Sequence, residues 1–217
     1  MKRLREPANG LTHLIGAVLS VVALAVLLVV GIRGGDVRQI IGFVIFGLSQ
    51  IGLYTASTLH HSLRLSERSM SRLLRFDCMM VYVLIAGTYT PICLGALHGA
   101  WRWGMLGVVW GLALGGIVTM ARWMRAPNWV STGFYLLMGW TSLAILPQLF
   151  HALPALGIVW LVAGGVVYTV GAVIFVLERP VLFPGVFGAH ALWHVCVLGG
   201  SFCFFWVILR YIAPLSL

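Results

Sequence analysis

His190 and His194 stand four residues apart, so on a helix both imidazoles leave one face, a spacing that suits two ligands on one metal ion. A third imidazole comes from the His60–His61 pair. Neighbours on a helix point about 100° apart, so only one of these two can turn toward a shared centre. Three nitrogen ligands with a fourth position for water is the pattern of catalytic rather than structural zinc, and imidazole suits zinc. One carboxylate goes with them. Glu6, Asp36, Glu67 and Glu178 fall in tails or loops, whereas Asp77 alone opens an apolar segment. Asp77 could ligate directly, but it fits better as the group that holds or deprotonates a metal-bound water. The plain alternative is a set of interfacial histidines donating to carbonyls. A central Asp in a membrane costs about 2.5–3.5 kcal/mol on insertion scales, so a carboxylate and a third histidine at the depth of His190 and His194 favour a metal or proton site.

The elements that must position these residues follow from composition. Hydrophobic residues make up 61% of the 217 and charged residues 9%, against about a quarter charged in a soluble domain. Such a chain could not cover a water-facing surface, whereas hydrocarbon demands that balance. Apolar segments run over 14–32, 39–60, 77–97, 103–121, 129–149, 156–177 and 187–209. Each is near the ~20 residues that cross ~30 Å of hydrocarbon as a helix. The alternation a barrel strand needs is missing. The expected fold is therefore an all-α membrane protein, a seven-transmembrane helix bundle occupying 1–217 as one domain. Pro91, within AGTYTP (86–91), is expected to kink the third span.

Basic residues set the orientation. Lys2, Arg3, Arg5, Arg64, Arg68, Arg72, Arg75, Arg122, Arg125 and Arg179 fall on the N-terminal side of the bundle, and only Arg33, Arg38, Arg102 and Arg210 on the other. The bias predicts a cytoplasmic N-terminus and an outside C-terminus. The second span then ends, and the third and seventh begin, on the cytoplasmic side. Three helix ends remote in sequence bring His61, Asp77, His190 and His194 to one depth.

Other features carry less. The net charge of +9 sits in short gaps between spans rather than in a stripe, so nucleic acid is not an expected partner. Cys78, Cys93, Cys196 and Cys203 lie inside apolar segments and read as small packing residues. The basic N-terminus resembles a signal peptide, but its apolar run is long enough to span and reads as an uncleaved first helix. His98 and His151 belong to outward loops. His13 lies at the depth of the cluster and suits an outer-shell or a structural role. Gly111 and Gly115 form GxxxG, which internal helix packing explains more simply than dimerisation. Tryptophans at span ends, such as Trp101, Trp103 and Trp129, read as an aromatic belt.

The segments EPANGLTH (6–13), STLHHS (57–62), RLLRFDCMMVYVLIAGTYTP (72–91) and GAHALWHVCVLGGS (188–201) together resemble the hemolysin III branch of the progestin and adipoQ receptor family, over essentially the whole chain. That resemblance implies a seven-helix bundle in the bacterial cytoplasmic (inner) membrane, holding zinc near its cytoplasmic face. Position by position it implies Ser57 and His61 as the S-x-x-x-H element, Asp77 as the aspartate, and His190 with His194 as H-x-x-x-H. It thereby selects His61 over His60. One departure is visible, since that family usually has tyrosine or phenylalanine where this chain has His60. The long receptor-type N-terminal domain is absent.

Three functions follow as expectations. The first is a zinc-dependent hydrolase of lipid acyl amides or esters, akin to ceramidases, with His61, His190 and His194 on Zn, Asp77 taking the proton and Ser57 steadying the water or the oxyanion. Membrane lipids would be its partners and substrates. The second is a non-enzymatic sensor or regulator of membrane homeostasis, in which metal or proton binding shifts a two-state bundle. The third is a cytolytic role, which a chain without a recurrent polar face supports poorly. A transporter would show inverted repeats or paired broken helices, and neither is evident.

Overall fold

The computed structural model describes residues 5–123 and 128–216. Helix α1 (Pro7–Gly34) starts where proline's missing N–H costs nothing, in the first turn, and stops at Gly35, whose φ of 73° is left-handed and whose N–H bonds Gly31 O at 3.0 Å. Asp36 then caps α2 (Val37–Ser62) by accepting from the Arg38 N–H at 2.9 Å. Two residues thus turn the chain back, which fixes α1 and α2 as antiparallel neighbours. Ser66 caps α3 (Glu67–Ala96), and α4 (Gly99–Arg122) follows.

The fifth span is not one helix. It comprises α5 (Asn128–Trp140), a 3₁₀ segment (Thr141–Ile145) and α6 (Leu146–Ala152). Pro147 has no N–H for the carbonyl four residues back, and its ring crowds that carbonyl, which disfavours a regular α-helix running through from the N-terminal side. The carbonyls freed at the break need donors in hydrocarbon. The Tyr89 hydroxyl from α3 lies 2.6 Å from Gly139 O and 2.8 Å from Met138 O. Helices α7 (Ala155–Leu177) and α8 (Ala189–Val207) complete the bundle, the latter running into a π turn (Ile208–Ile212) whose Ile212 carbonyl accepts from Gln39 at 3.1 Å.

Among the described residues seven helices are long and apolar enough to cross a membrane. Outward faces are apolar: Leu14, Val18, Val21 and Val22 of α1 are half exposed, as lipid-facing side chains must be. Phe43, Phe46, Ala86, Cys93 and Val109 are buried between helices, and all four cysteines are free. Helices α1 and α8 touch, as do α1 and α2, so the end carrying Pro7 gathers the C-terminus of α2 and the start of α8.

Two expectations need correction. Asp77 does not open the third helix; α3 starts ten residues earlier, at Glu67, and Asp77 lies nearly three turns in. Those first turns carry Arg68, Arg72 and Arg75, so they are helical without being apolar. Gly111 and Gly115 do not serve internal packing either. Both lie on the exposed face of α4, and a Cβ at either position would meet nothing within 4 Å.

The tight helix contact is elsewhere. A Cβ at Gly42 would come within 2.8 Å of the Pro91 Cα, which is backbone and cannot yield. Gly42→Ala is therefore expected to destabilise the detergent-purified protein by roughly 1–3 kcal/mol, the usual cost of overpacking. Gly111→Ala should lose nothing, since alanine is the better helix former. Thermal melting of the two variants beside wild type checks the contrast.

Candidate metal centre

The four expected residues meet at the Pro7 end of the bundle. His61, in the last turn of α2, and His190 and His194, in the first turns of α8, each offer a nitrogen within 4.8 Å of the others. Ring centroids stand 4.9 Å apart for His61 and His190, 5.0 Å for His61 and His194, and 4.7 Å for His190 and His194. Asp77 Oδ2 lies 4.0 Å from His61 Nε2, outside hydrogen-bond reach. Ser57 is buried one turn before His61 and lines the same cavity.

The hydrogen bonds decide which nitrogens are free. His60 Nδ1 lies 3.1 Å from Asp77 Oδ2, and a carboxylate can only accept, so Nδ1 carries the proton. His60 Nε2 then accepts from Arg5 Nη2 at 3.3 Å. Both His60 nitrogens thus have protein partners. His61 Nδ1 donates to Glu6 Oε2, and its Nε2, buried, has no hydrogen-bond partner among the described residues. His194 Nδ1 is 3.2 Å from Asn9 O, an acceptor only, and 3.2 Å from Thr12 Oγ1, so its Nε2 is left for another partner. Two imidazoles tied down at Nδ1, each with Nε2 unused, fit a metal ion, because a ligating histidine normally donates its other N–H to a carboxylate or carbonyl. The cluster could hold a metal ion.

His13 stacks on His194, with ring centroids 3.6 Å apart and planes at 10°. Neither of its buried nitrogens has a hydrogen-bond partner among the described residues, so it supports His194 without being bonded to it. His98 and His151 lie at the opposite end. Sequence reasoning missed Glu6, Asn9 and Thr12. Glu6 reads as tail, yet its carboxylate bonds a ligand candidate, Asn9 Nδ2 at 2.9 Å and Arg5 at 2.9 Å. Partial burial opposes the Glu6 charge, but the hydrogen bonds from Asn9 and His61 and the nearby Arg5 guanidinium outweigh it and hold its pKa below the usual carboxylate value. The available signal was an acidic residue just before a first-turn proline and a histidine two turns on.

From the histidines a cavity of ≈ 370 Å³ runs along the bundle interior to Tyr89, Ile92, Ile145 and Leu149. Leu53, Val81, Leu84 and Ile85 wall it. Trp140, Leu143, Val162 and Val166 also line it and are about half exposed, so it reaches the lipid-facing surface between the fifth span and α7.

Over residues 1–205 the sequence matches the family described as "Haemolysin-III related". "Hemolysin-3" of Bacillus cereus is 38% identical over 210 residues, covering 96% of this chain and 92% of that one. "Hemolysin-3 homolog" of Bacillus subtilis (strain 168) is 39% identical over 206 residues, 95% and 93% of the two chains. Human "Monocyte to macrophage differentiation factor" is 26% identical over 176 residues, 77% of this chain and 69% of its own.

The bonding pattern predicts different fates for the adjacent histidines. Purified His61→Ala should lose bound metal, whereas His60→Phe should keep it, by elemental analysis of each after metal loading. Metal lost from His60→Phe and retained by His61→Ala would reverse the assignment.

Proposed function

The chain belongs to the haemolysin-III family, and from that footing we propose that it is a zinc-dependent hydrolase of lipid acyl amides or esters in the bacterial cytoplasmic membrane, with its N-terminus inside. The observation that carries this reading is the convergence of three imidazole donors and Asp77 at the polar head of a long apolar cavity. A polar head and an apolar length match an amphiphile, and the side opening toward lipid gives an acyl chain a route in without crossing water.

His61, His190 and His194 would hold the ion. Bound there, zinc supplies Lewis acidity and lowers the pKa of a coordinated water from 15.7 to about 7. Asp77 Oδ2 accepts the proton as water adds to the acyl carbon. His60, donating to that same oxygen, keeps the carboxylate turned inward. Ser57 offers a hydroxyl beside the acyl oxygen. The proton returns to the leaving nitrogen or oxygen as its bond to the acyl carbon breaks, giving a fatty acid and an amine or alcohol. The apolar walls hold the chain and exclude bulk water.

Wild type should carry roughly one zinc per chain, and His190→Ala/His194→Ala none. Screened against N-acyl and O-acyl lipids in detergent, wild type should release fatty acid. Asp77→Asn should keep zinc but lose about 10²–10⁴-fold in rate, the usual worth of a general base. Release that persists in the double histidine variant overturns the mechanism.

A second reading draws on a separate observation. Contacts of His60 with Asp77, His61 with Glu6 and His194 with Asn9 tie α1, α2, α3 and α8 together at one end. Metal occupancy could therefore bias how the bundle packs, and a regulator of membrane state needs no turnover. A zinc-loaded protein that cleaves no acyl lipid, yet whose ligand variants change the cell's membrane response, would favour this reading. For the lytic activity named in the Bacillus relatives, the largely apolar cavity walls are a poor lining for a column of water.

A further inference from the structure

The last residues before the first span do more than lead into it. Glu6 precedes Pro7, the position from which a side chain ordinarily caps a helix, yet it makes no side-chain bond to the N–H groups of α1. Glutamate is not among the residues favoured for that duty. Instead its carboxylate accepts from His61 Nδ1, while Asn9 Nδ2 and Arg5 Nη2 hold its two oxygens at 2.9 Å each. Its backbone N–H donates to His61 O at 3.0 Å. Glu6 therefore grips His61 at both ends of the residue, and is gripped in turn.

The same turn of chain reaches the other side of the centre. Asn9, whose side chain fixes the Glu6 carboxylate, presents its carbonyl to His194 Nδ1. One turn later His13 stacks on the His194 ring. One imidazole of α2, His61, and one of α8, His194, are thus held by a single short segment of α1 and its lead-in.

Building on the metal reading above, we infer that Glu6 is a positioning residue of the metal centre: its carboxylate fixes the His61 tautomer and ring orientation so that Nε2 faces His190 and His194. A carboxylate on Nδ1–H also makes Nε2 a stronger donor, and loss of such partners typically costs 10–100-fold in metal affinity. Glu6 touches neither metal nor substrate, so its effect is read in affinity rather than in ligand identity. The alternative role is to anchor the start of α1 to the end of α2, which the backbone bond from Glu6 N to His61 O can do without the carboxylate.

The test uses full-length detergent-purified protein, with Zn²⁺ affinity measured by chelator competition and Co²⁺ as a spectroscopic probe. Glu6→Ala keeps the backbone bond and removes the carboxylate. It should bind Zn²⁺ about 10–100-fold more weakly than wild type, with the Co²⁺ visible band in place because three nitrogens still ligate. Glu6→Gln, whose amide oxygen still accepts from Nδ1 without a charge, should fall between the two. Melting of the chelator-treated proteins should be the same for all three, and the rise in melting temperature on adding Zn²⁺ should shrink in that order. If Glu6→Ala fails to fold, Glu6→Gln against wild type carries the test alone. Affinities within about twofold of wild type, or a loss of melting temperature equal with and without metal, overturn the positioning role and leave the metal centre standing. A wild type that binds neither ion overturns both.

Discussion

Hydrocarbon solvates neither an imidazole nor a carboxylate, so each polar group placed at membrane depth must find its partner in another part of the protein. At the Pro7 end that constraint ties His60 to Asp77 and Arg5, His61 to Glu6, and His194 to Asn9. The partners of these histidines come from α3 and from α1 with the residues leading into it. Satisfying them fixes the ends of the spans relative to one another. It also leaves Nε2 of His61 and His194 without hydrogen-bond partners among the described residues, beside His190. Packing farther along the bundle, including the close approach of Gly42 to Pro91, holds the helix axes that make the meeting possible.

The opposite half of the interior obeys the same rule with a different outcome. A 3₁₀ segment ahead of Pro147 breaks the fifth span, and the Met138 and Gly139 carbonyls at that break are met by the hydroxyls of Tyr89 of α3, Thr141 and Ser142. The cavity that begins at the histidines ends beside this break, where Ser142, Leu143, Ile145 and Leu146 line it. Its polar end is the histidine cluster, and its apolar length reaches the interrupted fifth span.

Much of this was legible in the sequence. Long apolar runs gave the spans, because hydrocarbon tolerates little else, and the i, i+4 spacing of His190 and His194 with Asp77 and His61 at one depth gave the cluster. Hydropathy reports where lipid is, not where a helix begins, so it omits the arginine-bearing first turns of α3 and puts Asp77 at the start of the span. Spacing alone does not choose between His60 and His61; the family resemblance favours His61, and the hydrogen-bond partners of His60 agree with it. Glu6 escaped because its role depends on α1 folding back against the end of α2, a contact between residues 55 apart. The outward placement of Gly111 and Gly115 depends on how α4 is rotated, and a GxxxG pattern alone does not set that.

The central claim is that three imidazoles and no other side chain hold a metal ion here, and zinc-edge X-ray absorption of the purified, zinc-loaded protein tests it most directly. The account predicts nitrogen scatterers of imidazole type at about 2.0–2.1 Å, joined by oxygen and without sulfur. A sulfur shell near 2.3 Å, which would bring in a cysteine such as Cys78 beside Asp77, would contradict the account, and so would zinc bound without imidazole.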